Sequence, residues 1–163
     1  MKKIITDLDK LAKKIIEKNQ YVSIASTDKA GNPWISPVVY SYDDNWNLYF
    51  VSMPTSKHCK NIKNNKDVAI AIFDSHQKSG EGVGLQIEAK IELVKPNDLL
   101  SVAKISATRK YPCGGLDFKG TMNFIKSMIL KGKKYRIYKI ILKTVWMNNP
   151  NSKTDVRVKI NIN

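Results

Sequence analysis

The sequence predicts a mainly β protein with flanking helices, a closed or nearly closed antiparallel barrel of six main strands. Short β-branched and aromatic segments follow one another across turn clusters, as successive hairpins do. The helical segments fall in the connections and do not alternate regularly with strands, which argues against a doubly wound parallel sheet. Neither Gly-x-Gly-x-x-Gly nor Gly-x-x-x-x-Gly-Lys-Ser/Thr occurs, so no dinucleotide or nucleotide phosphate loop is indicated. With 163 residues, 42% of them hydrophobic, the chain is one domain able to bury a single core.

Ile4, Leu8, Leu11, Ala12, Ile15 and Ile16 recur at helical spacing opposite Lys10, Lys13, Lys14 and Lys18, so an amphipathic helix occupies residues 1–19 and ends near Asn19. Gln20 to Thr27 reads as a first strand. The Asp28 to Pro33 turn cluster joins it to a second, Trp34 to Tyr42. Asp43-Asp44-Asn45 turns the chain into a third strand, Leu48 to Ser52. Thr55 or Ser56 can cap a short helix to about Asn65, with Lys57, Lys60 and Lys63 along one flank.

Val68 to Phe73 alternates large and small apolar residues, as a strand buried on both faces would. In the fifth strand Leu85, Ile87, Ala89, Ile91 and Leu93 point one way and Gln86, Glu88, Lys90 and Glu92 the other. Pro96 and Asn97 open a helix whose Leu99, Leu100, Val102, Ala103 and Ile105 pack on the sheet until Tyr111-Pro112-Cys113 breaks it. A further helix carries Phe118, Met122, Ile125 and Ile129 and stops at Gly132. Tyr135 to Met147 is the last long strand. In the tail, residues 148–163, Val156, Val158 and Ile160 alternate as a short extra strand would.

The 28 Lys and Arg against 14 Asp and Glu give a net charge of +14. Apart from the short Lys131, Lys133, Lys134 group, the lysines are scattered, so a solvated basic surface is the first reading. Attraction of anionic small ligands comes second and nucleic acid third. No apolar run approaches the roughly 20 residues of a membrane span, and Met1-Lys2-Lys3 runs at once into charge, so a soluble cytoplasmic protein with no membrane partner is expected. Cys59 and Cys113 are too far apart for a metal knuckle and read as reduced thiols, with no metal site. His58 and His76 read as surface histidines without a carboxylate partner.

The segment richest in chemistry is Thr55-Ser56-Lys57-His58-Cys59-Lys60-Asn61. A phosphate needs several converging donors, and a helix N-terminus offers unpaired N–H groups to which Ser56 and Lys57 add a hydroxyl and an ammonium. An ordinary capped, solvated helix would show the same residues.

Taken in order, Ile24-Ala25-Ser26-Thr27, Gly31-Asn32-Pro33-Trp34, Ser36-Pro37-Val38, Leu48-Tyr49-Phe50-Val51, Ser56-Lys57 with Lys60-Asn61-Ile62, Asn65-Lys66-Asp67-Val68 and Ile87-Glu88-Ala89-Lys90-Ile91 resemble the pyridoxamine 5'-phosphate oxidase-like FMN-binding split-barrel family. Lys110-Tyr111-Pro112 and Tyr135-Arg136-Ile137-Tyr138 extend the resemblance, which covers residues 15 to 147. It implies a homodimer with FMN at the subunit interface, the ring along the second and third strands and the phosphate beside the helix after them.

Carried over on that basis, Ser56 and Lys57 are phosphate ligands with Asn61 as a neighbour. Ser36, Val38 and Val39 lie beside the cofactor on the second strand, and Phe50, Val51 and Ser52 on the third. Gln86 reaches in from the fifth strand, and Trp146 is a candidate for the cofactor or dimer pocket. The implied activity is that of an oxidoreductase acting on a small molecule through the flavin, the alternative being a non-catalytic flavin- or haem-binding protein. Ser36 and Ser41 stand where the vitamin B6 oxidase has basic residues, and its C-terminal Arg-and-His pattern is not found after Trp146, so oxidation of pyridoxamine phosphate itself is not expected.

Overall fold

The computed structural model describes residues 7–112, 114, 117–130 and 134–162. Ile4, Cys113, Lys131, Gly132 and Lys133, and the side chains of Ile125 and Ile129, lie outside the described part. The elements are α1 (Leu8–Lys18), β1 (Tyr21–Thr27), β2 (Pro33–Val39), β3 (Ser41–Tyr42), β4 (Leu48–Ser52), α2 (Lys57–Asn64), β5 (Asp67–Phe73), β6 (Gly84–Leu93), a 3-10 turn (Pro96–Asp98), α3 (Leu99–Thr108), α4 (Phe118–Leu130), β7 (Arg136–Asn148) and β8 (Arg157–Ile160). Among the described residues no helix is long and apolar enough to cross a membrane.

Every strand pair is antiparallel, in the order β2-β1-β5-β6-β7-β4-β3, with β8 added to β7. Only Tyr40 separates β2 from β3, so the two ends of that path are consecutive in the chain and the sheet curls back on itself. The structure thus keeps the expected fold class but has more than six strands. The Trp34–Tyr42 stretch breaks at Tyr40, whose amide bonds the Gln20 carbonyl (3.2 Å) and whose hydroxyl reaches the Ile16 carbonyl (2.6 Å) at the end of α1. The alternating tail supplies β8, with Ile160 opposite Val145.

Side chains from the inner faces of β1, β5, β6 and β7 meet in one core, closed on one side by Ala12 and Ile16 of α1. In β6 the expected inward row Leu85, Ile87, Ala89 and Ile91 is buried, but Leu93 is exposed because it ends the strand. In β5 only Val68, Ile70 and Ile72 are buried, so a strand covered on both faces is not what forms. Ala69 is exposed, Ala71 half-buried and Phe73 54% exposed. Leu100, expected on the sheet, points to solvent, and Val102 and Ala103, with Leu99 and Ile105 partly buried, do the packing for α3.

The β1–β2 and β3–β4 hairpins share one construction. Asp28 accepts from the amides of Ala30 and Asn32 (both 3.0 Å), and Asp43 from those of Asn45 (3.0 Å) and Asn47 (2.9 Å), with the Tyr49 hydroxyl on its other oxygen at 2.8 Å. At Asp28 the bonds from the Asn32 side chain and backbone lower the carboxyl pKa. At Asp43 burial pushes the pKa up, but the bonds from Asn47 and Tyr49 and the Lys139 charge outweigh it and the net shift is downward. A depressed carboxyl pKa stabilises the fold above the unfolded carboxylate pKa, and that contribution is lost as pH falls through the folded value. Unfolding midpoints measured against pH should therefore drop along an acid limb that Asp43→Asn makes shallower; an unchanged limb would remove Asp43 from this role.

Candidate functional site

The chain leaves β4 at Ser52 and enters α2 with Ser56 as the N-cap, in extended conformation. The Ser56 hydroxyl is not used for capping. It lies 3.2 Å from Nε2 of His58 and 3.3 Å from the Ser52 hydroxyl, which is itself 2.8 Å from the same Nε2. His58 is therefore not the outward surface histidine the sequence suggested. Helical side chains lean toward the N-terminus of their helix, and at the second position of α2 that lean returns the imidazole over the cap. The Lys57 ammonium lies 4.7 Å from the Trp34 ring centroid, and the Trp34 indole N–H donates to the buried Ser36 hydroxyl at 3.0 Å. Two hydroxyls and an imidazole thus gather where the first amides of α2 lack helical partners, a donor set that suits a phosphate, while the Lys57 ammonium, from the first residue of the helix, lies over Trp34.

Cys59 lies beneath this cluster, buried and reduced. Burial pushes its thiol pKa up, but hydrogen bonds involving His58, Ser56, Tyr138 and Ser52 together bring it down to about 7. Burial, then the bond with Cys59, holds the Tyr138 phenol above its ordinary range. Phe50 stacks on Tyr138 with ring centroids 5.1 Å apart and is in the core, so only its backbone can face a ligand. Asn61 is also interior: its amide donates to the Ser26 hydroxyl (3.1 Å), which ties α2 to β1 and takes Asn61 away from the cluster. Val38 packs against the main core, and Val51 packs on the other side of β4, toward Val94, Val102 and Ile137.

Gln86 and Trp146 belong to a different surface. Cross-strand register aligns Pro37, Ser23, Ala71, Gln86 and Trp146 in one row, and Ile35, Ala25, Ala69 and Glu88 in the next. Ser23, Ala25, Ala69 and Ala71 form a floor of small residues between Ile35 and Trp146, a shallow trough of about 340 Å³. Its rim is apolar and open, with Ile35 66% and Trp146 37% exposed, and Val39 continues it opposite Tyr21. Arg157 of β8 donates to the Gln86 carboxamide at 2.6 Å at one end of the trough.

Side chains alternate along a strand. Trp34, Ser36 and Val38 lie on the face of β2 that meets Lys57, and Ile35, Pro37 and Val39 on the other. Within one protomer, Ser52 and Ser56 meet at His58 and Lys57 reaches Trp34, whose indole bonds Ser36, while Gln86, Trp146 and Val39 belong to the opposite face. Among the residues of these surfaces that sequence reasoning missed are His58, Arg157, Trp34 and Ile35. His58 could have been recovered from helix geometry, as the second residue after a cap. Arg157 had no local signal, because its place beside Gln86 comes from β8 pairing with β7. His76 bonds Asp74 (3.0 Å), a carboxylate the sequence reading did not assign to it, but both stand on an exposed loop away from either surface.

The family model described as pyridoxamine 5'-phosphate oxidase matches residues 8–123. No curated protein matches the chain in sequence. Among solved structures, a haem-binding protein from Mycobacterium smegmatis aligns with TM-score 0.69 and 11% identity over 96% of this chain and 60% of that one, so this chain spans less than two thirds of its length. The haem storage protein HutZ from Vibrio cholerae aligns with TM-score 0.60 and 14% identity over 85% and 92% of the two chains. An FAD-binding protein from Mesorhizobium loti aligns with TM-score 0.58 and 16% identity over 83% and 87%. At these identities the likeness is one of fold.

Proposed function

The chain belongs to the pyridoxamine 5'-phosphate oxidase family, and from that premise we propose that it is a homodimeric flavoprotein that holds FMN between its subunits and acts on a small molecule. The observation that carries this reading is the convergence of Ser52, Ser56 and His58 within 3.3 Å of one another at the start of α2, with Lys57 beside them. Their hydrogen bonds to one another can be exchanged for bonds to phosphate oxygens, and charge-assisted bonds are the stronger kind. When bound, the flavin supplies the electron and hydride chemistry. The protein's part is to anchor the phosphate, cover the ring and exclude water.

The division of these surfaces supports the dimer. The small-residue trough with Gln86, Trp146 and Arg157 suits a planar ring or the surface of a second copy, and it faces away from its own protomer's phosphate cluster. A second copy laid on this apolar face would bury Ile35, Val39 and Trp146 and bring its cluster to the first copy's trough. Haem is the second reading, since two of the similar structures bind or store it. It would need an axial ligand: His76 is on an exposed loop, and His58 is engaged by two serines.

The visible absorption spectrum of the purified protein separates the readings, with flavin bands for the first and a Soret band for the second. In titrations, Lys57→Ala and His58→Ala are each expected to weaken FMN by about tenfold, roughly 1.4 kcal/mol, while riboflavin, which lacks the phosphate, changes little. Equal losses for both ligands would remove these residues from the phosphate role.

A further inference from the structure

One edge of β7 is only partly used. β6 takes one edge from Tyr138 to Met147; on the other, β4 pairs with Arg136–Ile140 and β8 with Val145–Asn148. Between them, residues 141–144 have no strand partner on that edge among the described residues. Backbone donors and acceptors there face a cleft, not a ladder. The register also jumps beside the gap: Glu88 pairs with Thr144 and Ala89 with Leu142, which leaves Lys143 as the extra residue of a bulge. A cavity of about 610 Å³ occupies the gap, lined by the Asn45–Asn47 turn, residues 141–145 and residues 159–162. Ligand pockets commonly span about 300–1,000 Å³.

The turn that walls this cleft is unusual in one residue. In the β1–β2 hairpin the left-handed position after Asp28 is Gly31, at φ 85°; in the equivalent β3–β4 hairpin it is Trp46, at φ 60°. A side chain there costs roughly 1–2 kcal/mol that glycine avoids. Stacking on Tyr42, with centroids 5.5 Å apart and planes 8° from parallel, offsets part of this and fixes the indole as a rigid wall of the cleft. Lys143 and Lys159 line the cleft; Lys143 is paired with Asp67, which leaves Lys159 as the cation for an anionic group, and among the described lining residues none is acidic, though the Asp9 carboxylate takes the Asn161 amide (3.0 Å).

We propose that this cleft is a second small-molecule site, for a planar heteroaromatic ring bearing an anionic group. The ring's in-plane donors and acceptors would pair with the unused edge of β7 beside Trp46, and its anion would meet Lys159. A peptide strand does not fit, because β4 and β8 occupy the same lane on either side and leave only residues 141–144 open. The cleft adjoins Leu48, whereas the Ser56–His58 cluster lies beyond Ser52 at the opposite end of β4, so this site does not rest on the flavin reading.

Orotate, a planar carboxylate with an imide edge, is a suitable probe, and benzoate, which lacks that edge, is its control. Titrated into the full-length protein and followed by amide NMR, orotate is expected to give saturating shifts confined to residues 45–47, 141–145 and 159–162. Affinity should fall at least about tenfold for benzoate, for Trp46→Gly and for Lys159→Ala. Glycine takes the left-handed turn without strain, and Lys159 is exposed, so Lys159→Ala carries the test if Trp46→Gly does not fold. No saturation at millimolar orotate, shifts at residues 56–58 instead, or unchanged affinity in the folded variants would overturn the proposal.

Discussion

Ala71→Arg is expected to give a folded monomer that no longer retains FMN. Ala71 lies on the trough floor with its side chain directed away from the core, between Ser23 on β1 and Gln86 on β6, so the protomer has room for a longer residue. Under a second copy the same arginine would be a charge taken out of water, at a cost of several kcal/mol that pairing with the neighbouring Glu88 would offset only in part. Since every 1.4 kcal/mol is tenfold, association should weaken by about a thousandfold or more. Sedimentation velocity reads the mass, and the visible spectrum of the same sample reads the flavin. A monomer that still binds FMN as the unaltered protein does would sink the interface site, and an unchanged dimer would place the interface elsewhere.

The second large effect is on stability. Arg109, just after α3, donates to the carbonyls of Tyr40, Ile16 (3.4 Å) and Asn19 (2.5 Å), and its guanidinium lies 4.3, 4.9 and 5.0 Å from the rings of Tyr40, Tyr42 and Tyr111. It therefore ties the C-terminal carbonyls of α1, where a cation is favoured, to the break between β2 and β3 and to the end of α3. Arg109→Ala removes charge-assisted bonds and several ring contacts together, and should destabilise the fold by about 3 kcal/mol, a fall in Tm of roughly 10 °C for a chain of this size. Arg109→Lys should recover only part of this, because an ammonium cannot reproduce the planar fork. Thermal and urea unfolding measure both, and a loss below about 1 kcal/mol for Arg109→Ala would show the carbonyls satisfied without it.

These two substitutions lie on opposite sides of what local pattern can reveal. Nothing in the residues around Arg109 marks it as a staple: its carbonyl partners lie 69 to 93 positions away. Ala71 was misread for a related reason. Large and small residues alternate in Val68–Phe73 whether the small side faces a second layer of the same chain or an open trough, and only the pairing with β1 and β6 shows that nothing within the protomer covers it.

From the sequence alone came the antiparallel barrel class, the amphipathic α1, both Asp-led hairpins, the inward row of β6 and the donor-rich start of α2. Each depends on residues within a few positions of one another, so backbone periodicity and turn chemistry are enough to reveal it. Only the tertiary structure decided that β2 breaks at Tyr40, that Asn61 is tied to Ser26 and Phe50 lies in the core, and that Ser56 with Lys57 and Gln86 with Trp146 stand on opposite faces of β2. Those facts depend on which strands pair and in what register. Register is chosen by the burial of all the strands together, and no short segment carries that information.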